Sequence, residues 1–225
     1  MINLFLANFL VNTCIFISGN YFKVVFEKKL KKYNYYNFWI FGIIFISFSS
    51  LLINFFFPLD KNICSILVSI MVIFFLKKYL FNPNLKIILK YLFIVSIIST
   101  FLIVYSNVNR PDAGLYHLPY ISMINEDKIL IGSSNIHFRF GHISIIQYLS
   151  AFFNIHYFST ATIAIPLSSM FAFFIYFNFK KIFIFLNEGK IEYLIITFFI
   201  FLFSIYSFNR YSGYGNDMPS HIFYF

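Results

Sequence analysis

Six apolar runs, near residues 2–20, 37–57, 62–80, 87–106, 157–179 and 191–208, constrain this chain more than any motif in it. Each approaches the roughly 20 residues that an α-helix needs to cross the hydrocarbon core of a bilayer. Backbone amides in lipid must find partners within their own segment, and none of the runs alternates polar with apolar residues, so helices are expected and a β-barrel is not. Composition settles the solvent: 60% of residues are hydrophobic and 11% charged, with mean hydropathy +0.78, outside the range of a soluble domain. The expected fold is therefore all-α and polytopic, with six transmembrane helices. Ile222–Phe225 begins a seventh that is too short to cross, which points to a fragment of a longer protein.

Lysine and arginine bias then orients the runs. The segments 21–36 (Lys23, Lys28, Lys29, Lys31, Lys32), 77–90 (Lys77, Lys78, Lys86, Lys90) and 180–190 (Lys180, Lys181, Lys190) hold twelve of the seventeen basic residues and should be cytoplasmic. Lys61, Arg110, Lys128, Arg139 and Arg210 fall in the alternate segments, together with all five histidines. The N-terminus and the long segment 106–156 are thus expected outside, in a bacterial inner membrane. The formal charge of +9 reads as a topology signal and contact with the lipid bilayer, not as a nucleic-acid footprint. The N-terminus has no basic leader and no small-residue cleavage site, so the first run should remain a span. Cys14 and Cys64 should lie near opposite faces, too far apart for a disulfide, as buried fillers.

Two units follow: a three-helix segment over 1–86, and a core over 87–225 that carries outer loops at 106–156 and 209–221. The first loop is long, and such loops usually carry function or are disordered. Its composition argues for structure. Ala113–Asn125 can form an amphipathic helix with Leu115, Leu118, Ile121 and Ile124 on one face, and Ile143–Phe153 a second, with Gly132, Ser133, Ser134 and Asn135 as the turn between them. Both helices are expected at the membrane interface.

The polar residues concentrate on that side. Asp112 follows a span within Arg-Pro-Asp-Ala-Gly, where Pro111 can open a helix, although an acid there also suits a helix N-terminus electrostatically. Tyr116 shares its helical face, His117 is one step round, and His137, Arg139 and His142 return after the Gly132 turn. A second acid, Asp217, lies in the outer loop after the sixth run, beside Arg210 and His221. Glu126, Asp127 and Lys128 read as a solvated turn. A divalent metal held by Asp112, His117, His137 and His142 is an open alternative, without a close ligand spacing to support it.

A span, a long outer loop opening on an acid and carrying interfacial helices, two more spans and a second acidic loop: this order resembles the GT-C superfamily of membrane glycosyltransferases, which includes protein O-mannosyltransferases and the aminoarabinose transferases of lipid A. The stretches DAGLYHLPYISMI and SSNIHFRFGHISI are similar to a group of bacterial polytopic proteins placed near that superfamily. The likeness covers about residues 87–225. It implies a sugar donor linked to polyprenyl phosphate, transfer on the outer face, commonly with inversion, and an acid at Asp112 that acts as base or helps hold donor and metal. Asp217 matches the second-loop acid. Typical members begin with the span that leads into the acidic loop, whereas three further spans precede that span here, and their later spans and C-terminal domain have no counterpart in this chain.

Glycosyl transfer from such a donor needs a base for the acceptor hydroxyl and cations for the departing phosphate. Asp112 is the candidate base; Arg110, Arg139, Arg210 and His137 are candidates for the phosphate, with Tyr116, His117, His142 and His221 as further substrate contacts. Interfacial anchoring is the competing role for Arg110 and Arg210. The competing functions are a transporter, flippase or polymerase of envelope polysaccharide assembly, or a non-catalytic scaffold. The acceptor, whether glycan, lipid or protein, is not written in these residues.

Overall fold

The computed structural model describes residues 1–26, 35–105, 113–141, 144–158 and 160–206, and among these every regular element is helical. Four long helices, α1 (Ile2–Phe26), α2 (Tyr35–Asn54), α3 (Lys61–Tyr79) and α4 (Leu85–Tyr105), precede the long segment; it contains α5 (Leu118–Glu126) and α6 (Ile145–Phe152) and leads into α7 (Ile165–Glu188) and α8 (Ile191–Tyr206). The stretches Ile2–Phe22, Lys61–Tyr79, Leu85–Tyr105 and Thr162–Glu188 are long and apolar enough to cross a membrane, while Phe38–Asn54 and Ile191–Tyr206 are shorter apolar helices.

Local chemistry explains where these helices start and stop. The Asp60 carboxylate accepts from the Ile63 N–H at 2.7 Å and caps α3, and Lys77 and Lys78 occupy its last turn, where cations complement the helix dipole. α7 differs from the expected run 157–179. A 3-10 turn at Thr160–Ala164 comes first, and the helix then continues past Lys180 and Lys181 to Glu188. Lysine does not break a helix, and these two lie over aromatic rings one turn away, Lys180 over Tyr176 and Lys181 over Phe177 and Phe185, so the helix ends only at Gly189. With φ of +68°, Gly189 lets the Lys190 N–H reach the Phe185 carbonyl at 3.0 Å, a Schellman close that turns the chain directly into α8.

α1 is the hub of the bundle and packs against α2, α3, α4 and α7. Its crossing with α2 is set by Gly19 and Gly42. A Cβ at Gly19 would collide with the Phe38 carbonyl oxygen and lie 2.6 Å from its carbon; one at Gly42 would collide with the Ile15 carbonyl oxygen and lie 2.8 Å from its carbon. Small residues at such a crossing let backbones approach in lipid, where water does not drive helices together. A polar seam runs through the same bundle. Ser99 donates to Asn8 Oδ1 and lies 3.0 Å from the Ser168 hydroxyl, and Asn12 Nδ2 donates to Ser96 Oγ at 2.8 Å, all of them fully buried. Cys14 and Cys64 are buried free thiols.

The long segment is a folded cap and not a pair of surface helices. The Leu59 N–H donates to the Ile124 carbonyl at 3.0 Å, the Ile129 N–H to the Asn54 carbonyl at 3.1 Å, and the His156 N–H to Ser65 Oγ at 3.1 Å. These bonds seat it on the α2–α3 connection, at one end of the bundle. In α6, Gln147 to Phe152 are all buried, packed against α2, α5 and α7. On α5 the buried face is His117, Tyr120, Ile121, Ile124 and Asn125, whereas Leu115 is 66% exposed and Leu118 only half-buried. The cause is a π-helical turn at Ala113–His117, whose i→i+5 bonding takes more residues per turn and rotates the register ahead of α5.

Candidate functional site

Two stretches far apart in sequence meet in the cap. Pro119 sits in the first turn of α5, where its missing N–H costs nothing. Past α5 the chain reverses at Gly132, whose φ of +83° is a left-handed conformation that glycine adopts freely. The expected turn at Gly132–Asn135 is present as this residue followed by a 3-10 turn over Ser133–Asn135. A second 3-10 turn covers Phe138–Gly141, and Ser133 Oγ donates to the Phe140 carbonyl at 2.9 Å, which ties the two turns together.

This reversal brings Tyr116, His117 and His137 into one cluster. The ring of Tyr116 is 4.1 Å from that of His117 and lies nearly parallel to His137 at 6.3 Å, and His137 is 5.2 Å from Phe140. His117 is buried, with Nδ1 3.1 Å from Gln147 Nε2 on α6. The cluster therefore offers a buried imidazole held against an amide, a half-buried second imidazole and a phenol.

The other expected site residues divide as follows. The backbone of Arg139 lies in the Phe138–Gly141 turn, and its side chain is outside what the structure describes. Arg110, Asp112, His142, Arg210, Asp217 and His221 lie outside the described residues. Among the described residues no group of three His, Cys, Asp or Glu side chains could hold a metal ion.

Several residues of the site were not anticipated from the sequence. Gln147 is one: a lone amide in the apolar stretch IIQYLSAF is a signal that could have flagged it. Asn125 is another. Its Nδ2 donates to the Leu59 carbonyl at 2.6 Å and the Ala151 carbonyl at 3.0 Å, while its Oδ1 accepts from Asn154 at 2.9 Å, so one side chain clamps α5, α6 and the α2–α3 connection. Tyr120 and Tyr148 form a hydrogen-bonded phenol pair. Burial raises the pKa of both, and Tyr148 rises further because its partner accepts from it. Both stay neutral through the physiological range.

Two openings flank α5. One, of about 510 Å³, is a cleft between Gly114, Leu118, Pro119, Ser122, Asn125 and Asn154. The other, of about 210 Å³, lies beneath the Gly132 turn and is bounded in part by Asp127 and Lys128, so this turn, although exposed as expected, also forms a wall.

Fold and site together define a class: a helical protein built for a lipid bilayer, with a folded, histidine-bearing cap at one end of its bundle. The family model described as "Domain of unknown function (DUF8201)" matches residues 1–225, and the chain belongs to that family. No curated protein and no solved structure matches it.

Proposed function

We propose that the protein is a GT-C-like glycosyltransferase that moves a sugar from a polyprenyl-phosphate donor to a cell-envelope acceptor on the extracytoplasmic face. The reading takes all six long helices as spans, with the lysine-rich ends cytoplasmic and the cap outside. One observation carries it: the two stretches on which the family likeness rests, DAGLYHLPYISMI and SSNIHFRFGHISI, pack on each other through Tyr116, His117 and His137 beside an open cleft that begins at Gly114. In the proposed step the acceptor hydroxyl attacks the anomeric carbon and gives its proton to the Asp112 carboxylate. The bond from that carbon to the phosphate oxygen breaks, and polyprenyl phosphate leaves with its electron pair, stabilised by the arginines and by His137.

In membranes carrying the full-length protein, Asp112→Asn should abolish transfer from a polyprenyl-phosphate sugar at unchanged protein level; retained transfer overturns the role. A second reading, passage of a polar solute or lipid head group, has one observation in its favour, the buried seam of Asn8, Asn12, Ser96, Ser99 and Ser168. Against it, no charged side chain is buried among the described residues, whereas transport pathways concentrate ionisable groups at membrane depth.

A further inference from the structure

The smaller opening lies apart from the histidine cluster, with the Phe140 ring between them: Phe140 is 5.2 Å from His137 on one side and stacked on Tyr120 at 5.5 Å on the other. Its walls are Tyr120, Phe140 and Tyr148, its rim Asp127, Lys128 and Ser134. At about 210 Å³ it falls below the ~300–1,000 Å³ typical of drug-sized ligands, which suits one ring and not an oligomer. The construction is rigid where a ligand would need it to be. Asn54 Nδ2 donates to the Ile124 carbonyl at 3.2 Å and the Asp127 carbonyl at 2.9 Å, so the rim backbone is fastened to the end of α2.

The lining selects a chemistry. The apolar wall of Tyr120, Phe140 and Tyr148 meets the C–H surface of a ring, and a carboxylate, an ammonium and a hydroxyl at the rim together offer donors and acceptors to several hydroxyl groups. Adjacent Asp127 and Lys128 nearly cancel, so neither an anion nor a cation is favoured over a neutral guest.

We infer that this cavity is a subsite for a single neutral pyranose ring. The inference rests on the glycosyltransferase reading for its biological setting, and the ring could belong to the acceptor or to the lipid-linked donor. Binding itself is separable from catalysis. The full chain, reconstituted in phosphatidylcholine nanodiscs because maltoside detergents carry the group under test, is probed by saturation-transfer NMR. The probes are the methyl pyranosides of glucose, galactose, mannose, rhamnose and N-acetylglucosamine. At least one should receive saturation, and Asp127→Ala should weaken it by about tenfold or more, the worth of one charge-assisted hydrogen bond.

Ser134→Trp, at an exposed rim position, should block the cavity and give the same loss; should that variant fail to fold, Asp127→Ala decides alone. No transfer to any pyranoside, or transfer unchanged in Asp127→Ala, overturns the inference. Asp112→Asn should keep pyranoside binding. Pyranoside binding by a wild-type protein without transferase activity would sink the proposed function and leave the subsite standing. Activity in which Asp127→Ala moves the KM of neither substrate would do the reverse. Which KM rises in Asp127→Ala tells acceptor from donor.

Discussion

Gly42→Ala is the smallest change that should loosen the bundle. The added Cβ would overlap the Ile15 carbonyl oxygen, 2.8 Å from its carbon and 3.1 Å from Ile15 Cγ2. Carbon contacts relax near 3.5–4.0 Å, so the helices must part by about 1 Å. A gap of that size forfeits a quarter to a half of each contact's attraction; over about forty atom pairs at ~0.15 kcal/mol each, the loss is on the order of 2 kcal/mol. Overpacking elsewhere costs a similar ~1–3 kcal/mol. By the scaling of soluble domains of this size, the thermal midpoint of purified protein should fall by about 4–8 °C. Gly19→Ala should do the same, and the double variant should cost less than the sum, because the first separation makes room for the second. Gly114→Ala is the control, since nothing lies within 4 Å of its Cβ. A midpoint for Gly42→Ala within a degree of the wild type, with Gly114→Ala equally silent, would refute the close-crossing argument.

Three further outcomes are expected. Asn125→Leu strips donors from the Leu59 and Ala151 carbonyls and should cost about 2–4 kcal/mol; hydrogen exchange should speed up across the cap and residues 55–60 while α7 keeps its protection. Reporter fusions at Lys31 and Ser134 should report opposite sides of the membrane, and the same side for both would overturn the orientation. The Tyr120–Tyr148 pair should make the cap alkali-sensitive. Both phenols have raised pKa values when folded, so their contribution is intact below the unfolded value of ~10 and is lost as pH rises through the folded values. Protection of α5 and α6, taken relative to the intrinsic base-catalysed exchange rate, should fall above about pH 10, and a Tyr120→Phe, Tyr148→Phe variant should lose that fall.

The long helices were legible because twenty apolar residues in a row leave the backbone few choices, and the Gly132 turn because a cluster of small polar residues has few others. The cap's interior was not. A helical wheel over Ala113–Asn125 assumes one pitch, and the π-helical turn breaks that assumption, which is why Leu115 points outward and His117 inward. Ile143–Phe153 reads as amphipathic because Gln147 and Ser150 are polar, yet Gln147 is buried and faces His117, thirty residues away. A lone amide in an apolar stretch marks a polar residue but not its partner, and periodicity carries no information about partners. Lys180 and Lys181 misled in the opposite sense, marking the end of a span that continues two turns further. Asp112 and Asp217 rest on the sequence alone.

The seam of Asn8, Ser99 and Ser168 has a consequence for how the protein is made. Helices enter the membrane in order of synthesis, so α1 arrives with two asparagines whose partners follow 91 residues behind, in Ser99, and 84 behind, in Ser96. Until then Asn8 can bond only within its own helix, to the Leu4 carbonyl at 2.9 Å. Ser168 closes the set from a helix synthesised 69 residues after Ser99. Biogenesis of this bundle is therefore gated: the first helix in waits for the fourth, and a nascent chain stalled before α4 presents unspent amide groups to lipid, a ready mark for membrane quality control.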